Sequence, residues 1–584
     1  MSTNMNRRSF LAGAAAVGAA TVASTAFAGE AMPPMMMGGA DAPAGEPVEP
    51  GTWRIPPEPI ADDQIATVID ADVLVIGLGH AGSCALRAAA EQGIVAYGME
   101  SMAEENWMYT GFQMGHINSE YLKSMGVPEV DVIEFMNDWQ LRSNNRSNPG
   151  LIMKYAKNCG PTFDWIFDNV SQEDKDASFS VMNLVEGGPF VRNFSGIKSW
   201  VGTAMAGNFL TPCLQRCKDI AIENGGGVLF ETKAKQLVTD ETGAVVGAIG
   251  EGPDGYVKVN ASKGVIISTG GFGSNQDMRE DLLYEIRESL SEGEAIAGFM
   301  DRDGSGIAMG YWIGARLDPC MGTMDGAYWY PCDAPTDPIG ATAALWLNAE
   351  GKRYSNEGFG STELMAMPGA KQPTGMTVSL FDANIEALLK AQPYGHMSYN
   401  VASGDFSALH ATMDKAYAGG PNGSADPDAG DNSVIAGGNK AMGGGATLYA
   451  ADDFETLGTY LGYEGEALEN FVASIEHYNE LCAAGADTDF GKDASLLFPL
   501  STPPYYGFGA PKALGVLMVT VGGLLIDENG AVLGDDYRPI PGLFAAGNAS
   551  GGRFGWQYFT SIAGQSLTMA HTLGRLTGQY VASL

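Results

Sequence analysis

The chain has 584 residues, 45% of them hydrophobic, enough to bury large cores and, by length, to form two or more domains. Sixty-nine acidic side chains stand against 33 basic ones, a net charge of -36, which argues against nucleic acid and anionic membranes as partners. Seven cysteines, none in CxxC or CxxCH spacing, argue against covalently attached haem, a zinc ribbon or a cysteine-rich iron–sulfur cluster, and the six histidines do not group into a metal site.

Arg7-Arg8-Ser9-Phe10-Leu11 precedes a small-residue apolar run that ends in Ala26-Phe27-Ala28, so residues 1–28 read as a twin-arginine export signal with an AxA cleavage site. The run is short and weakly apolar for a membrane span. The expected location is therefore periplasmic or otherwise extracytoplasmic, reached through the Tat export machinery. That route carries folded proteins, which suits an enzyme loading its cofactor in the cytoplasm. Residues 29–65, rich in Pro, Met and Gly, read as a flexible tether.

Residues 71–100, ADVLVIGLGHAGSCALRAAAEQGIVAYGME, predict strand, glycine turn, helix, strand. Gly77, Gly79 and Gly82 have GxGxxG spacing: the first for the turn, the second for approach of a pyrophosphate, the third for close helix–strand packing. The helix N-terminus would face the phosphates. Glu100, about 20 residues on, is placed to accept hydrogen bonds from an adenosine ribose.

Residues 106–118 would pass over a ring system at Gly111 and Gly115, and residues 131–145, 150–169 and 211–224 have helical spacing. Cys213 and Cys217 share one face of the last of these and read as packing residues. Short strands follow at 227–238, 245–250, 256–259 and 264–268, the last running into Gly270-Gly271. Residues 303–316 predict a turn feeding a helix, and 318–337 are crowded with Met, Tyr, Trp, Pro and Asp. Residues 345–357 predict a strand and turn, 404–445 a surface loop, and 448–461 and 465–485 helices. Residues 539–552 return to a strand with the glycine turn Ala546-Gly547, before a last helix over 564–580.

Seven separated stretches, VLVIGLGHAG, VIISTGGFGSN, DGSGIAMGYWIGA, LWLNAEGKRYSNE, IEHYNELCAAGADTDFGK, VGGLLIDENGAVL and IPGLFAAGNASGG, occur in one order from Asp72 to the C-terminus. In these the chain resembles the FAD-dependent fumarate reductase and succinate dehydrogenase flavoprotein superfamily, most of all its exported flavocytochrome c, urocanate reductase and 3-ketosteroid dehydrogenase branches. The resemblance implies an α/β fold: a Rossmann-like FAD-binding domain over 66–318 and 515–584, with an inserted α+β capping domain over 319–514. It implies FAD contacts at Gly77, Ala81 and Gly82 for the pyrophosphate, Glu100 for the ribose and Ala234 for adenine. It places Asn106, Met114 and Gly115 along the flavin, and Thr269, Gly270 and Asp303 on the flavin nucleotide. Gly547 ends the last strand, Asn548 stands where the family has Glu, and Ser566 and Leu567 begin a helix whose dipole would face the flavin N1–O2 edge.

The family's fumarate chemistry breaks in this sequence. Ser361 occupies the place of the proton-donating arginine that follows the GKRFxNE motif, and its relay partners would fall near Asp337 and Gly340. Val519 stands before Thr520-Val521-Gly522-Gly523 where a carboxylate-binding histidine is usual, and the C-terminal carboxylate clamp is replaced by the run from Arg553 to Ser561. Fumarate and succinate are therefore not the expected substrates. Tyr330, Tyr506, Tyr558 and Arg553 remain as candidate catalytic residues, because phenols can protonate or polarise a ketone and aromatic walls hold flat rings. The expected activity is reduction of an activated C=C bond in an aromatic or polycyclic organic acceptor, by hydride transfer from flavin N5, with electrons from a separate cytochrome or flavoprotein. A ketosteroid-like dehydrogenase and a degenerate electron carrier are the alternatives.

Overall fold

The computed structural model describes residues 51–107, 113–181, 192–194, 197–199, 202–205, 209–283, 301–325, 343–359, 368–369, 371–392, 404–424, 447–510, 517–556, 558–559, 561–562 and 564–584. Its centre is a sheet of eight strands. In spatial order Ala531–Leu533, Pro539–Ala545, Gly255–Ile267, Ile65–Ile76, Ala96–Met99 and Gly227–Leu229 lie side by side, and Val245–Gly252 and Lys233–Thr239 extend it antiparallel from the start of Gly255–Ile267. The central pairings are parallel, Val73 opposite Ala96 and Gly264, Val265 opposite Leu543. Parallel strands covered on both faces need unbroken apolar runs. Val73, Leu74, Val75, Val265, Ile266 and Ile267 accordingly have no exposed surface.

Two sequence expectations merge here: residues 256–259 and 264–267 belong to one strand, Gly255–Ile267. The register shifts opposite Ala71 and Val73, and Gly264 takes φ 154, so the apolar pattern is interrupted by a bulge rather than by a turn.

The fingerprint helix His80–Ala90 lies on this sheet, and the C-terminal helix Gln565–Ser583 crosses it through a seam of small residues. A Cβ on Gly574 would lie 2.2 Å from the Ala81 carbonyl oxygen, and one on Gly578 2.3 Å from that of Ala85. The backbones meet there directly. Helices Val132–Arg142, Pro149–Ile166 and Leu210–Glu223 complete this lobe, with Cys213 and Cys217 buried on the last.

A second, antiparallel sheet orders Leu345–Asn348, Thr377–Asp382, Tyr505–Ala510 and Tyr449–Ala451, packed by helices Ile385–Ala391, Ser407–Gly419, Phe454–Tyr460 and Gly465–Ala484. Its core is separate from that of the large sheet. Two of the family-like stretches meet in it. Arg353 donates to both oxygens of Glu357 (2.9 and 2.8 Å) and both of Asp487 (2.9 and 2.8 Å), and Lys492 donates to Tyr478 and the Ala343 carbonyl. The GKRYSNE and ADTDFGK segments are thus the two halves of one buried ion cluster. The chain leaves the large lobe along Gly322–Asp325 and returns along Leu517–Val521, paired antiparallel with Gly322 opposite Val521.

Three expectations are corrected. Residues 51–64 are docked rather than free. Trp53 is buried, its indole N–H donates to Asp281 (2.8 Å), the Gly51 and Trp53 amides donate to Asp277 (2.7 and 2.8 Å), and Trp312 donates to the Trp53 carbonyl (2.8 Å). A tether reading follows from Pro and Gly content, but one tryptophan and two acceptors at i and i+4 on helix Gln276–Leu282 suffice to anchor it. The span read as a surface loop carries helix Ser407–Gly419, because Leu409, Thr412, Met413 and Ala416 form a buried stripe inside a Gly- and Asp-rich stretch. The helix expected over 448–461 is strand Tyr449–Ala451 followed by a helix capped by Asp453, which accepts from the Thr456 amide (2.8 Å).

Candidate functional site

The three fingerprint glycines do three different jobs. Gly77 turns with φ 84, and a Cβ there would lie 2.8 Å from the Thr269 Cα; one on Gly82 would lie 1.9 Å from the Gly77 carbonyl oxygen. Nothing stands within 4 Å of a Cβ on Gly79, so the chain is open on the side where a phosphate would approach. Helix His80–Ala90 starts there without a side-chain cap, leaving its first amides to an anion. Ser268 ties the neighbouring turn to this one, its hydroxyl shared between the Ile76 and Gly77 carbonyls (3.0 and 2.7 Å).

Glu100 is buried at the tip of Ala96–Met99. It accepts from the Leu78 amide (2.8 Å), the Met102 amide (3.0 Å) and the Ser101 hydroxyl (3.2 Å). A carboxylate offers about four acceptor positions, so it is held by the fingerprint turn and keeps capacity for a ribose hydroxyl. The Thr232 amide donates to the Glu100 carbonyl (2.8 Å), and Ala234, two residues on, is buried on strand Lys233–Thr239 opposite Gly250. Asn106 closes the short turn Glu104–Asn106, and Trp107 next to it donates to the Leu78 carbonyl (3.0 Å). Asp303 binds Lys233 (2.5 Å) and accepts from the Ser305 amide (3.0 Å).

At the other end, Met114 and Gly115 lie on strand Gln113–Gly115, where Tyr155 donates to the Gly115 carbonyl (2.9 Å). The start of the C-terminal helix meets this strand: a Cβ on its cap residue Gly564 would lie 2.3 Å from the Gln113 carbonyl oxygen. That helix too has no side-chain cap, so Ser566 and Leu567 stand at an uncompensated positive helix end. His116 is stacked on Phe163 at 4.1 Å, with Nδ1 against the Met114 carbonyl (2.9 Å) and Nε2 against the Ser119 hydroxyl (2.8 Å). Burial pushes its pKa down to about 4. It is a neutral support for the strand.

The loop after Pro539–Ala545 carries the candidate chemistry. Gly547, at φ 67, brings the loop within 2.9 Å of the Ala81 Cβ, measured from a Cβ built on the glycine. Arg553 is 1% exposed and turns back on this loop, donating from Nε to the Ser550 carbonyl (3.0 Å) and from Nη1 to Asn548 Oδ1 (3.1 Å). Trp139 donates to the Arg553 carbonyl (2.8 Å). Tyr558 is fully buried against Phe554 at 4.8 Å between ring centres. Burial pushes the Arg553 guanidinium down to about 10, against the opposing pull of Asp318, Asp301 and Tyr558.

Several important groups have no local signature. Asp301 accepts four bonds, from the Gly271 amide (2.8 Å), the Gly273 amide (2.9 Å), the Thr520 amide (2.8 Å) and the Thr520 hydroxyl (2.6 Å). It locks the turn after Gly270 to the strand returning from the second sheet. Asp318 accepts from the Gly552 amide (2.6 Å) and the Cys320 amide (2.9 Å), fixing the loop that bears Arg553. An isolated Asp beside a DG pair hints at a turn but not at partners far along the chain.

Tyr506 is not brought to this cluster. It stacks on Phe381 at 5.4 Å inside the core of the second sheet, so its assignment as catalytic is corrected to packing: Tyr506 and Phe381 are paired directly across neighbouring strands. Tyr330 and Ser361 lie outside the described residues.

The donor set fits a flavin dinucleotide. Thr269 Oγ1, Arg553 Nη2, Ser561 Oγ, Thr568 Oγ1 and His571 Nδ1 are buried without a partner among the described residues, all on segments bordering the fingerprint turn and the C-terminal helix. Buried polar groups are ordinarily hydrogen-bonded, so these five are available to the polar edges of a bound dinucleotide. Among the described residues no cluster of His, Cys, Asp or Glu could hold a metal, and no helix is long and apolar enough to cross a membrane.

A family model described as an FAD binding domain matches residues 72–561, and one for the TAT (twin-arginine translocation) pathway signal sequence matches residues 4–24. The chain is similar to a vinyl phenol reductase of Lactiplantibacillus plantarum, 25% identical over 88% of this chain and 96% of that protein. It is also similar to a urocanate reductase of Eggerthella lenta, 25% identical over 97% of this chain and 82% of that protein. In fold it is similar to a 3-ketosteroid-delta4-(5alpha)-dehydrogenase from Rhodococcus jostii solved with 4-androstene-3,17-dione, with a TM-score of 0.59 and 19% identity over 90% of this chain and 99% of that one.

Proposed function

We propose, from the premise that this chain belongs to the FAD binding domain family within the fumarate reductase and succinate dehydrogenase flavoprotein superfamily, that it reduces an activated C=C bond in an aromatic or polycyclic acceptor other than fumarate. It is an FAD-dependent oxidoreductase acting on CH–CH bonds, exported through the twin-arginine pathway. Bound FAD supplies a hydride from its N5 to one carbon of the double bond. The chain's own residues must then bind the acceptor and provide a proton to the other carbon.

The observation that carries this reading is the burial of Tyr558 against Phe554, whose ring also lies under the Arg553 guanidinium at 5.4 Å. A phenol beside a guanidinium can release its proton because the cation stabilises the phenolate left behind. In this reading Gly77, Gly79, Ala81 and Gly82 hold the pyrophosphate and Glu100 the ribose. Ala234 and Asp303 border the adenosine end, and Asn106, Met114, Gly115, Thr269, Gly270, Gly547, Asn548, Ser566 and Leu567 hold the remainder of the cofactor. Residues 66–318 and 515–584 form the FAD-binding unit and 319–514 the capping unit; the paired strands through which the chain leaves and re-enters support that division. The acceptor class draws on the unsaturated phenol, imidazole acrylate and steroid named for its relatives. Electrons come from a separate cytochrome or flavoprotein, and the net charge of -36 would steer a basic donor.

The test is anaerobic. FAD-loaded protein is reduced with a viologen dye and offered vinyl phenols, aryl acrylates and steroid enones. Reoxidation by at least one is expected, and Tyr558→Phe should slow it by about 10²–10⁴ while FAD stays bound. If no acceptor works but saturated ketones are oxidised, the direction is reversed; if neither works, the reductase reading fails.

A further inference from the structure

We infer that Arg553 is the cation of the cofactor floor, its Nη2 donating to the negative charge that FAD gains on reduction, and that it thereby sets the flavin's reduction potential. The inference rests on the FAD reading but on no particular acceptor.

A buried guanidinium is ordinarily paired with a carboxylate, because an uncompensated charge in the interior costs several kcal/mol. Among the described residues Arg553 has no such pair. Nε and Nη1 are spent on a backbone carbonyl and on the Asn548 amide, both neutral acceptors, and Nη2 is buried with no partner among the described residues. Asp318 and Asp301 are near enough to be felt electrostatically, yet both are occupied by amide donors. The sequence holds Asn at 548, where a carboxylate would have neutralised the guanidinium.

Placement decides which anion is met. Every group bonded to Arg553 lies on the loop 548–553 or on Trp139, and none comes from residues 343–510 among those described. The guanidinium therefore belongs to the lobe that holds the cofactor and not to the lobe that would cover a substrate. The pyrophosphate has its own donors at the fingerprint helix. The Arg553 guanidinium instead lies over the Phe554 ring at 5.4 Å, and that ring packs on Trp139 and Tyr558, aromatic surroundings suited to a ring. A fixed cation at that ring favours whichever redox state carries more negative charge.

The test uses the FAD-loaded full chain and needs no substrate. Dye-equilibrated reduction gives the midpoint potential, and sulfite titration gives the affinity of the N5 adduct, which places negative charge on the pyrimidine. Arg553→Met should weaken sulfite binding at least tenfold and lower the potential, by about 30 mV for each tenfold loss of two-electron stabilisation. Asn548→Ala should move both in the same direction by less, and Arg553→Lys should restore part of the effect. Phe381→Leu, a packing control in the core of the second sheet, should lower the melting temperature without moving the potential. Unchanged potential and sulfite affinity in Arg553→Met would overturn the inference. So would equal weakening of FAD binding in both oxidation states, which puts the guanidinium on the pyrophosphate, or a raised KM for anionic acceptors at unchanged potential, which gives it to the substrate. If Arg553→Met does not retain FAD, the Asn548→Ala and Arg553→Lys values decide.

Discussion

Replacing Asp301 by Asn is the sharpest test of how the site is assembled. Oδ1 accepts from Gly271, and Oδ2 accepts three bonds from Gly273 and from the amide and hydroxyl of Thr520. An asparagine has one acceptor oxygen. The least damaging orientation keeps that oxygen on the three-donor side and points its NH2 at the Gly271 amide. One buried donor then faces another donor, which costs about 1–3 kcal/mol, and three charge-assisted bonds become neutral ones, together costing about 1–3 kcal/mol more. A loss of about 2–6 kcal/mol is expected, spread between global stability and the geometry of the turn 269–273. If half of it falls on the FAD-competent conformation, affinity drops roughly 5- to 140-fold at 1.4 kcal/mol per decade. The assays are urea unfolding with FAD present and absent, and titration of apoprotein with FAD by fluorescence quenching. A variant that unfolds within about 0.5 kcal/mol of the parent and binds FAD equally well would refute the claim that Asp301 joins the two segments.

Other substitutions probe other links. Gly82→Ala puts a Cβ 1.9 Å from the Gly77 carbonyl oxygen, so FAD content in purified protein should fall to background, whereas Gly79→Ala, with open space at the Cβ, should fold normally. Arg353→Met strips Glu357 and Asp487 of their shared cation at the cost of about 3–5 kcal/mol, as for other broken buried pairs; hydrogen exchange should rise across residues 343–510 while FAD remains bound. The same ion cluster holds Asp487 well below the usual carboxylate range, with burial opposing and Arg353 and the Lys492 and Phe490 amides prevailing. Its stabilisation is therefore complete above the ordinary Asp pKa and disappears only as pH falls through the depressed folded value. Arg353→Met should flatten that acid limb of the stability profile. His116 is buried in its neutral form with a pKa near 4, so folding releases its proton and stability should decline as pH falls from about 6.5 towards 4, by at most about 3 kcal/mol. His116→Gln should remove that segment of the urea midpoint profile.

The parts of this protein that were legible in its residues are those written in short-range periodicity. The fingerprint strand, turn and helix, the helices at 132–142, 149–166 and 465–484, and the final helix all follow from apolar spacing and glycine placement within about 20 residues. The helix Ser407–Gly419 was hidden because its buried stripe is diluted by small and acidic residues, and the docked segment 51–64 because a single Trp carries most of its anchoring. Tyr506 shows the opposite error: chemistry is readable from side-chain type, but strand pairing with Phe381 turned it into core. Asp301 and Arg553 mark the boundary most clearly. Residue identity makes one an acceptor and the other a cation, while the Thr520 that meets Asp301 lies 219 residues away and the charges around Arg553 come from separate strands and loops. Local pattern determined which elements form and that a dinucleotide is held; only the folded chain decided which buried donors are left over, because a hydrogen bond is satisfied or left open by neighbours that linear order does not reveal.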